Sequence, residues 1–150
     1  MLSRWIGSEA SELVFIAEYC GGGFGSKGNA YPAMTIPAHM SKMIGRPVMM
    51  RISRHEEYGI GSARPAFQGR IRMGFAPTGR LAAVDMYIVQ DNGPNIGFND
   101  WLSAGEAVSL VYTQEAMRFR GLPVLTNTTQ RGQQRGPGQD QLAAAIEPLI

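Results

Sequence analysis

The chain has 150 residues and a net charge of +2, and only 17% of its residues are charged. This length suffices for about one domain with a modest core. The arginines are scattered singly along the sequence, which argues against nucleic-acid binding as the main task.

Signals for targeting and redox chemistry are sparse. No stretch approaches the ~18 consecutive apolar residues that a transmembrane helix requires. Cys20 is the only cysteine, which excludes an intrachain disulfide and an iron–sulfur cluster held by this chain alone. Because the first residues lack the apolar core of a signal peptide, we expect a cytoplasmic location, with the periplasm as the alternative.

The first predicted element is a buried strand over residues 13–17, a continuous apolar run. A glycine-rich loop follows over residues 20–29 and contains Lys27. Clustered glycines allow positive φ angles and let main-chain N–H groups approach a ligand closely. On composition alone, the loop is either a flexible turn or a cradle for an anion or cofactor. It matches neither a Walker A loop nor the dinucleotide fingerprint, because Ser26 stands where each requires glycine.

A helix is predicted after this loop. Thr35 can serve as its N-cap, Pro37 is tolerated in its first turn, and Gly45 can end it. His39 has no second ligand at metal spacing, so we assign it a structural role. Apolar residues at helical spacing predict a core-facing side: Ala33, Ile36, Met40, Met43 and Ile44.

The remaining elements predict an α+β fold, a mixed sheet with a β-hairpin and packed helices. Residues 48–52 are predicted as a strand. The hairpin is predicted from alternating apolar residues on both sides of residues 76–79, a type I turn sequence: Ile71, Met73 and Phe75, then Val84, Met86 and Ile88. Further along we predict a turn cluster, a short helix, a strand with a turn, and an apolar helix: residues 91–95, 103–112, 119–127 and 142–146.

A second glycine loop, residues 130–139, contains Arg131, Arg135 and four glutamines. The forked donors of arginine suit phosphate and oxo groups. Composition alone leaves a solvated linker as the alternative.

Taken together, the two loops resemble a known family. Residues 21–27 (Gly-Gly-Gly-Phe-Gly-Ser-Lys) are similar to the Gly-Gly-Gly-Phe-Gly-x-Lys loop of the molybdenum hydroxylases. This family comprises the large subunits of xanthine dehydrogenase, aldehyde oxidase and aerobic carbon monoxide dehydrogenase. Residues 135–138 (Arg-Gly-Pro-Gly) resemble its Arg-Gly-x-Gly loop. The resemblance spans residues 12–147 and implies that residues 1–150 are a partial, truncated molybdopterin-binding domain without the second half of the cofactor site.

The resemblance also implies which residues face the cofactor and the substrate. Phe24 and Arg135 would form two walls of one site and act largely through backbone N–H groups. Purine-oxidising members carry a glutamate where this chain has Gly28 and an aromatic residue where it has Pro137. The resemblance therefore implies a substrate other than xanthine. The full set of implied cofactor contacts is Gly22, Gly23, Phe24, Gly25, Arg135 and Gly136.

Other family features match in part. Tyr31 and Pro32 resemble the carbon monoxide dehydrogenase branch, but the active-site cysteine of that branch has no counterpart around Arg135. The catalytic glutamate of the family lies further along its sequence, so no catalytic residue and no metal ligand is assigned here. Residues 53–58 correspond to an arginine-and-acid segment of the family, which implies structural ion pairing.

The implied activity is oxidative hydroxylation of aldehydes or N-heterocycles with water as the oxygen source. The implied cofactor is molybdenum–molybdopterin, in its cytosine dinucleotide form if the protein is bacterial. Iron–sulfur clusters and FAD would reside on partner subunits or domains, alongside the remainder of the large subunit. Two alternatives stay open: a catalytically inactive fragment of this fold, and a phosphate- or nucleotide-binding module unrelated to molybdenum.

Overall fold

The computed structural model describes residues 1–30 and 32–150. Tyr31, and with it half of the Tyr31–Pro32 resemblance, lies outside the described residues. The chain divides into two compact units, Met1–Gly61 and Ser62–Ile150. In the described part of the chain, no helix is long and apolar enough to cross a membrane.

The first unit consists of short helices and extended segments. Lys42, in the second α-helix, connects it to the end of the first. Its Nζ donates to the carbonyl oxygens of Ile6 at 2.9 Å and Gly7 at 3.1 Å. The helices are α1 Leu2–Ile6, α2 Ile36–Ile44 and α3 Arg54–Ile60, with 3-10 turns at Ala10–Glu12 and Pro32–Thr35.

The helix predicted after the first glycine loop is confirmed as α2. Thr35 occupies the N-cap, Pro37 lies in the first turn, and Gly45 ends the helix in the left-handed region with φ 63°. The prediction that its apolar face is core is wrong, because Met40 is 48% exposed and Met43 is 84% exposed. Ile6 and Thr35 are the buried residues among those described in this unit, so the methionine face has no core to join.

Both strands predicted in this unit are wrong. Residues 13–17 and 48–52 have no strand assignment, and Val14, Ile16 and Met49 are 81%, 79% and 93% exposed. A strand exists only through hydrogen bonds to a neighbouring strand. The described residues of this unit supply no such neighbour, so the apolar runs stay extended and unpaired.

Helix α3 shows the expected ion pairing, since Arg54 Nη1 lies 2.6 Å from Glu57 Oε2. The helix itself was not predicted. It begins with a capping box: Ser53 Oγ accepts from Glu56 N at 3.2 Å, and Ser53 N donates to the Glu56 carboxylate at 2.7 Å.

The second unit contains a mixed sheet, which confirms the predicted fold class. Strands β1 (Phe67–Phe75) and β2 (Leu81–Asp91) are antiparallel, and β3 (Ala116–Val124) pairs with β2 in parallel. Helix α4 (Asp100–Val111) lies between β2 and β3 in sequence. Helix α5 (Gln139–Ile146) follows the second glycine loop and leads into a 3-10 turn, Glu147–Leu149.

The predicted hairpin is confirmed, and its apolar residues lie opposite one another. Ile71 pairs with Met86 and Met73 with Val84. The turn closes with Gly79 N donating to Ala76 O at 2.9 Å. The short helix and the final apolar helix are confirmed as α4 and α5, each beginning three residues earlier than predicted.

One face of the sheet and the two helices form the core of this unit. Gln90 joins them, because its side-chain oxygen accepts from Trp101 N at 2.8 Å and so satisfies one free N–H at the start of α4. The buried apolar residues are Val84, Met86, Ile88, Ala104, Val108, Leu142 and Ile146.

The opposite face of the sheet gathers arginines that are scattered singly in the sequence, so the expectation that the chain has no basic patch is wrong here. Strand register places Asp85 between Arg72 and Arg118, and Tyr87 between Arg70 and Arg120. Arg118 binds Asp85 in a bidentate pair at 2.9 and 2.6 Å. Alternating arginines on two strands were the sequence signal for this face. The expectation that the chain does not bind nucleic acid remains a prediction.

Candidate functional site

The first glycine loop follows a backbone path that only glycine adopts easily. Gly22 has φ 64° and Gly25 has φ 117°, and between them Phe24 has φ 52°. Phe24 is the one described non-glycine residue with positive φ. A bulky side chain in this region is strained, which marks a conformation maintained by its surroundings.

Local hydrogen bonds maintain this loop. Ser26 donates to Gly23 O through its backbone N at 2.9 Å and through its hydroxyl at 2.8 Å. Lys27 Nζ donates to the carbonyl oxygen of Gly21. A Cβ on Gly23 would lie 2.8 Å from Lys27 Cβ, so this position needs a glycine. The lysine of the motif therefore closes the loop upon itself.

The peptide N–H groups of Gly22, Gly23, Phe24 and Gly25 have no acceptor among the described residues. Phe24 is 67% exposed, Gly22 is exposed, and Gly23 and Gly25 are half-buried. Successive free N–H groups on a glycine loop form a concave binding site for an anion or an oxo ligand. The loop geometry therefore fits the group that the motif implies.

The second glycine loop, residues 130–139, is anchored at its start by Asp91. Arg131 lies 2.7 Å from Asp91 Oδ2, and both side chains are largely buried. Burial alone would raise the pKa of Asp91, but hydrogen bonds outweigh it and hold that pKa well below its usual range. The donors are Thr126 Oγ1, Gly93 N, Arg131 and Thr128 Oγ1.

Residues 62–65 run beside this loop. Ala63 N donates to Gln130 O at 2.9 Å, and Gly132 N donates to Ala63 O at 3.0 Å. Arg64 extends further along the loop, with Nη2 2.6 Å from Arg135 O and Nη1 3.2 Å from Gly136 O. The guanidinium of Arg64 therefore holds two consecutive carbonyl groups of the Arg-Gly-x-Gly motif.

The end of the loop packs against the start of α4. Gly136 and Gly138 have φ 68° and 73°, and a Cβ on Gly138 would collide with the carbonyl oxygen of Asp100. The Asp100 side chain is fully buried, and both carboxyl oxygens lack a hydrogen bond within the described residues. Burial raises the pKa of Asp100, an effect that nearby Gln141 and Gly138 partly offset.

Arg135 itself is exposed, and the described residues give its side chain no partner. Gly136 N likewise has no acceptor there. This loop therefore offers the free guanidinium of Arg135 and the free N–H of Gly136, donors that suit phosphate or oxo groups.

The structure brings Arg135, Gly136 and Pro137 together in one anchored loop of the second unit. The other predicted positions, residues 22–25 and 28, lie in the glycine loop of the first unit. The prediction that the two loops form facing walls of one site stays a prediction, as do the roles of the individual residues.

Sequence reasoning missed three residues that support the second loop. Asp91 opens a predicted turn cluster, and its four donors lie up to 40 positions away. Arg64 contacts a carbonyl 71 positions along the chain. Neither pattern has a local signature. For Asp100, the signal was an acidic residue three positions before the short helix predicted at residues 103–112.

Comparison with known proteins identifies the family. The sequence profile described as "Molybdopterin cofactor-binding domain" matches residues 1–150. Indole-3-acetaldehyde oxidase from Arabidopsis thaliana is 28% identical over 97% of this chain, which spans 11% of that protein. Aldehyde oxidase 2 from Cavia porcellus is 31% identical over 87% of this chain, which spans 10% of that protein.

Solved structures show the same fold. Aldehyde oxidoreductase from Desulfovibrio gigas superposes with a TM-score of 0.81 and 25% identity, covering 98% of this chain and 18% of that one. Quinoline 2-oxidoreductase from Pseudomonas putida 86 superposes with a TM-score of 0.69 and 26% identity, covering 85% of this chain and 18% of that one. The chain belongs to the molybdopterin cofactor-binding domain family of the xanthine dehydrogenase and aldehyde oxidase enzymes.

Proposed function

We propose that the two glycine loops hold a molybdenum–molybdopterin cofactor in an oxidoreductase that hydroxylates aldehydes or N-heterocycles with water as the oxygen source. The observation that carries the proposal is the run of free N–H groups from Gly22 to Gly25, which includes the strained Phe24. The names of the similar proteins, which act on aldehydes or quinoline, support this substrate class.

Each loop has a distinct task in this proposal. The N–H groups of Gly22, Gly23, Phe24 and Gly25 donate to oxygen atoms of the cofactor. Gly136 N–H and the Arg135 side chain donate from the second loop. When bound, the cofactor supplies the two-electron oxidation chemistry, and the protein supplies binding and orientation.

Gly28 and Pro137 would border the substrate. Neither side chain carries a charge or a hydrogen-bond donor, so neither selects a purine by polar contacts. The proposed substrate is therefore an apolar or singly polar carbonyl or ring compound. No residue of this chain is assigned as catalytic base.

The proposal extends to partners and location. We propose the cytosine dinucleotide form of the cofactor for a bacterial protein, with iron–sulfur clusters and FAD on partner subunits or domains. The remainder of a large subunit would complete the site, because the chain spans only about a tenth to a fifth of the proteins it resembles. We further propose a cytoplasmic location.

The test is the cofactor content of the full chain, purified with its partner subunits. Molybdenum is measured by mass spectrometry and pterin by fluorescence after oxidation. We expect both in the wild type, and a loss of about tenfold or more after Phe24→Gly combined with Arg135→Ala. The first change frees the backbone of the first loop and so disorders its N–H groups, and the second removes the charge-assisted donors of the guanidinium. Arg80→Ala is the control, because Arg80 is exposed in the hairpin turn of the same chain.

Two results would contradict the proposal. One is a folded, complete complex without molybdenum or pterin. The other is full cofactor content in the double variant. Protection of the chain from unfolding by ATP but not by pterin would favour the phosphate-binding alternative instead.

A further inference from the structure

We propose that Arg64 is a positioning residue for the second glycine loop. Its guanidinium binds the carbonyl groups of Arg135 and Gly136, and this orients the Gly136 N–H toward the cofactor. The inference rests on the proposed function of that loop. It assigns a role to a residue outside both glycine motifs.

The contacts of Arg64 are specific to its planar fork. Nη2 donates to Arg135 O at 2.6 Å and Nη1 donates to Gly136 O at 3.2 Å. One guanidinium therefore binds two consecutive carbonyl groups. An ammonium group on a lysine is a point charge and cannot reproduce both contacts in this arrangement.

Peptide geometry links these contacts to the outer side of the loop. Among the described residues all peptide bonds are trans, so the Arg135 carbonyl and the Gly136 N–H point in opposite directions. Fixing the carbonyl toward Arg64 therefore fixes the N–H away from it. The next peptide ends in Pro137, which has no N–H. Gly136 N–H is thus the donor that this clamp orients, and it has no acceptor within the described residues.

A charged donor at the carbonyl also changes the strength of the N–H. Hydrogen bonds in a chain polarise one another, so a peptide whose oxygen binds a guanidinium becomes a stronger donor through its nitrogen. An oxo or phosphate group at Gly136 N would benefit from this effect. Arg64 thus acts on the ligand through a peptide unit without touching it.

Arg64 is itself held in place and neutralised. Its Nη2 lies 3.0 Å from Asp140 Oδ2, and Nη1 lies 3.5 Å from Gln141 Oε1. Gln141 also donates to Pro65 O at 3.0 Å, which fixes the segment that carries Arg64. Because Asp140 balances the charge of Arg64, the expected effect depends on the fork geometry and not on an added positive charge.

The experiment compares Arg64→Gln, Arg64→Lys, Asp140→Asn and the control Arg80→Gln in the full chain with its partner subunits. Hydrogen exchange of residues 130–139 is measured against the amides of β2, together with the melting temperature and the pterin content. The electron paramagnetic resonance signal of molybdenum reports the environment of the cofactor independently of turnover.

We expect Arg64→Gln to accelerate exchange in the loop about tenfold and to lower the pterin content several-fold, since two charge-assisted hydrogen bonds are lost. Exchange in β2 should stay unchanged. Arg64→Lys, which preserves the charge and is the variant less disruptive to folding, should also accelerate loop exchange and alter the resonance signal. Asp140→Asn should behave as the wild type, because the pair is exposed on the Asp140 side and the asparagine keeps an oxygen that can accept from Arg64 Nη2. Arg80→Gln should behave as the wild type as well.

The inference is overturned if Arg64→Lys and Arg64→Gln exchange and bind pterin like the wild type. It is also overturned if Asp140→Asn reproduces their effect, because the ion pair would then be the relevant contact. A wild type without pterin contradicts the proposed function instead, so the two failures are distinguishable.

Discussion

Asp91 shows how one carboxylate can anchor a loop from a distance. It accepts hydrogen bonds from a turn, from the segment after β3 and from Arg131 at the start of the second glycine loop. Its side chain is only 16% exposed, so these contacts are protected from solvent. Removing one partner from a buried charged pair destabilises a protein strongly, because the other partner stays buried without a hydrogen bond.

We predict that Asp91→Asn lowers the free energy of unfolding by about 2 kcal/mol or more, because charge-assisted hydrogen bonds are lost at a buried position. Asp85→Asn is the matched control: it also removes an arginine partner, but Arg118 is 78% exposed, so we expect a smaller loss. Chemical denaturation of both variants measures the difference. Equal losses would contradict the anchoring role of Asp91.

The same contacts predict a pH dependence. Because the folded state lowers the pKa of Asp91, its stabilisation is fully present above the unfolded-state pKa of about 3.9 and is lost as the pH falls toward the folded-state pKa. The melting temperatures of wild type and Asp91→Asn should therefore converge below about pH 4. A constant difference down to strongly acidic pH would contradict this assignment.

Gly138 has both a positive φ and a close contact with the backbone of Asp100, and comparison with Gly79 separates the two effects. We predict that Gly138→Ala costs about 3 kcal/mol of unfolding free energy, since the residue has φ 73° and its Cβ would collide with Asp100 O. Gly79→Ala has the same sign of φ but meets open space, and should cost about 1 kcal/mol. Urea denaturation compares the two. Similar costs would show that no close packing exists at Gly138.

At the scale of elements, α4 and β3 approach closely because of glycines. Trp101 and Phe119 stack with ring centroids 6.0 Å apart, and the ring of Trp101 lies over the backbone of Gly121. A Cβ on Gly105 would lie 2.7 Å from the Phe119 ring. These positions leave the space in which the aromatic pair joins the helix to the sheet.

We predict that Gly121→Ala destabilises the chain by about 2 kcal/mol, because the new methyl group would displace the Trp101 ring. Gly74→Ala is the control within the same sheet. Its Cβ would make an ordinary contact at 3.9 Å, and its effect should stay within about 0.5 kcal/mol. Tryptophan fluorescence during denaturation, measured in a Trp5→Phe background so that Trp101 is the reporter, detects both the loss and any movement of Trp101. An unperturbed Trp101 would contradict the packing.

Elements were predictable from the sequence where the signal is local. The hairpin, α2, α4 and α5 follow from periodicity, turn residues and caps within a few positions. The strands predicted at residues 13–17 and 48–52 failed because an apolar run does not say which strand will pair with it. Helix α3 was missed although Ser53 and Glu56 form a capping box, a signal that was present in the sequence.

In the candidate site, too, features with a local sequence signal were predictable and long-range contacts were not. The two glycine loops stand out in sequence because positive φ favours glycine, and both contain positive-φ glycines. Their supports at Arg64 and Asp91 depend on contacts across 71 and 40 positions, which no local pattern encodes. Resemblance to a family therefore located the loops, while the structure was needed to show how the second one is held.

At the scale of the whole molecule, the two units differ in how much apolar surface they bury. The second unit has a core built by one sheet face and two helices. In the described part of the first unit, Ile6 is the buried apolar residue, while Phe15, Tyr19 and Met43 are 66%, 94% and 84% exposed. Large exposed apolar surfaces mark interaction sites. This surface supports the prediction that the chain is one part of a larger domain.

The parallel pairing of β2 with β3 has a consequence for the order of folding. The hairpin begins from a short closure, because Phe75 pairs with Leu81 next to the turn. Arg118 and Asp85, which pair across β3 and β2, are 33 positions apart. Closing this longer segment costs more chain entropy, so β3 should dock after the hairpin has formed. The second glycine loop follows β3 and is anchored to β2 through Asp91. This loop would therefore be completed only after β3 has paired with β2, and the donors that we propose for the cofactor would be assembled later than the hairpin.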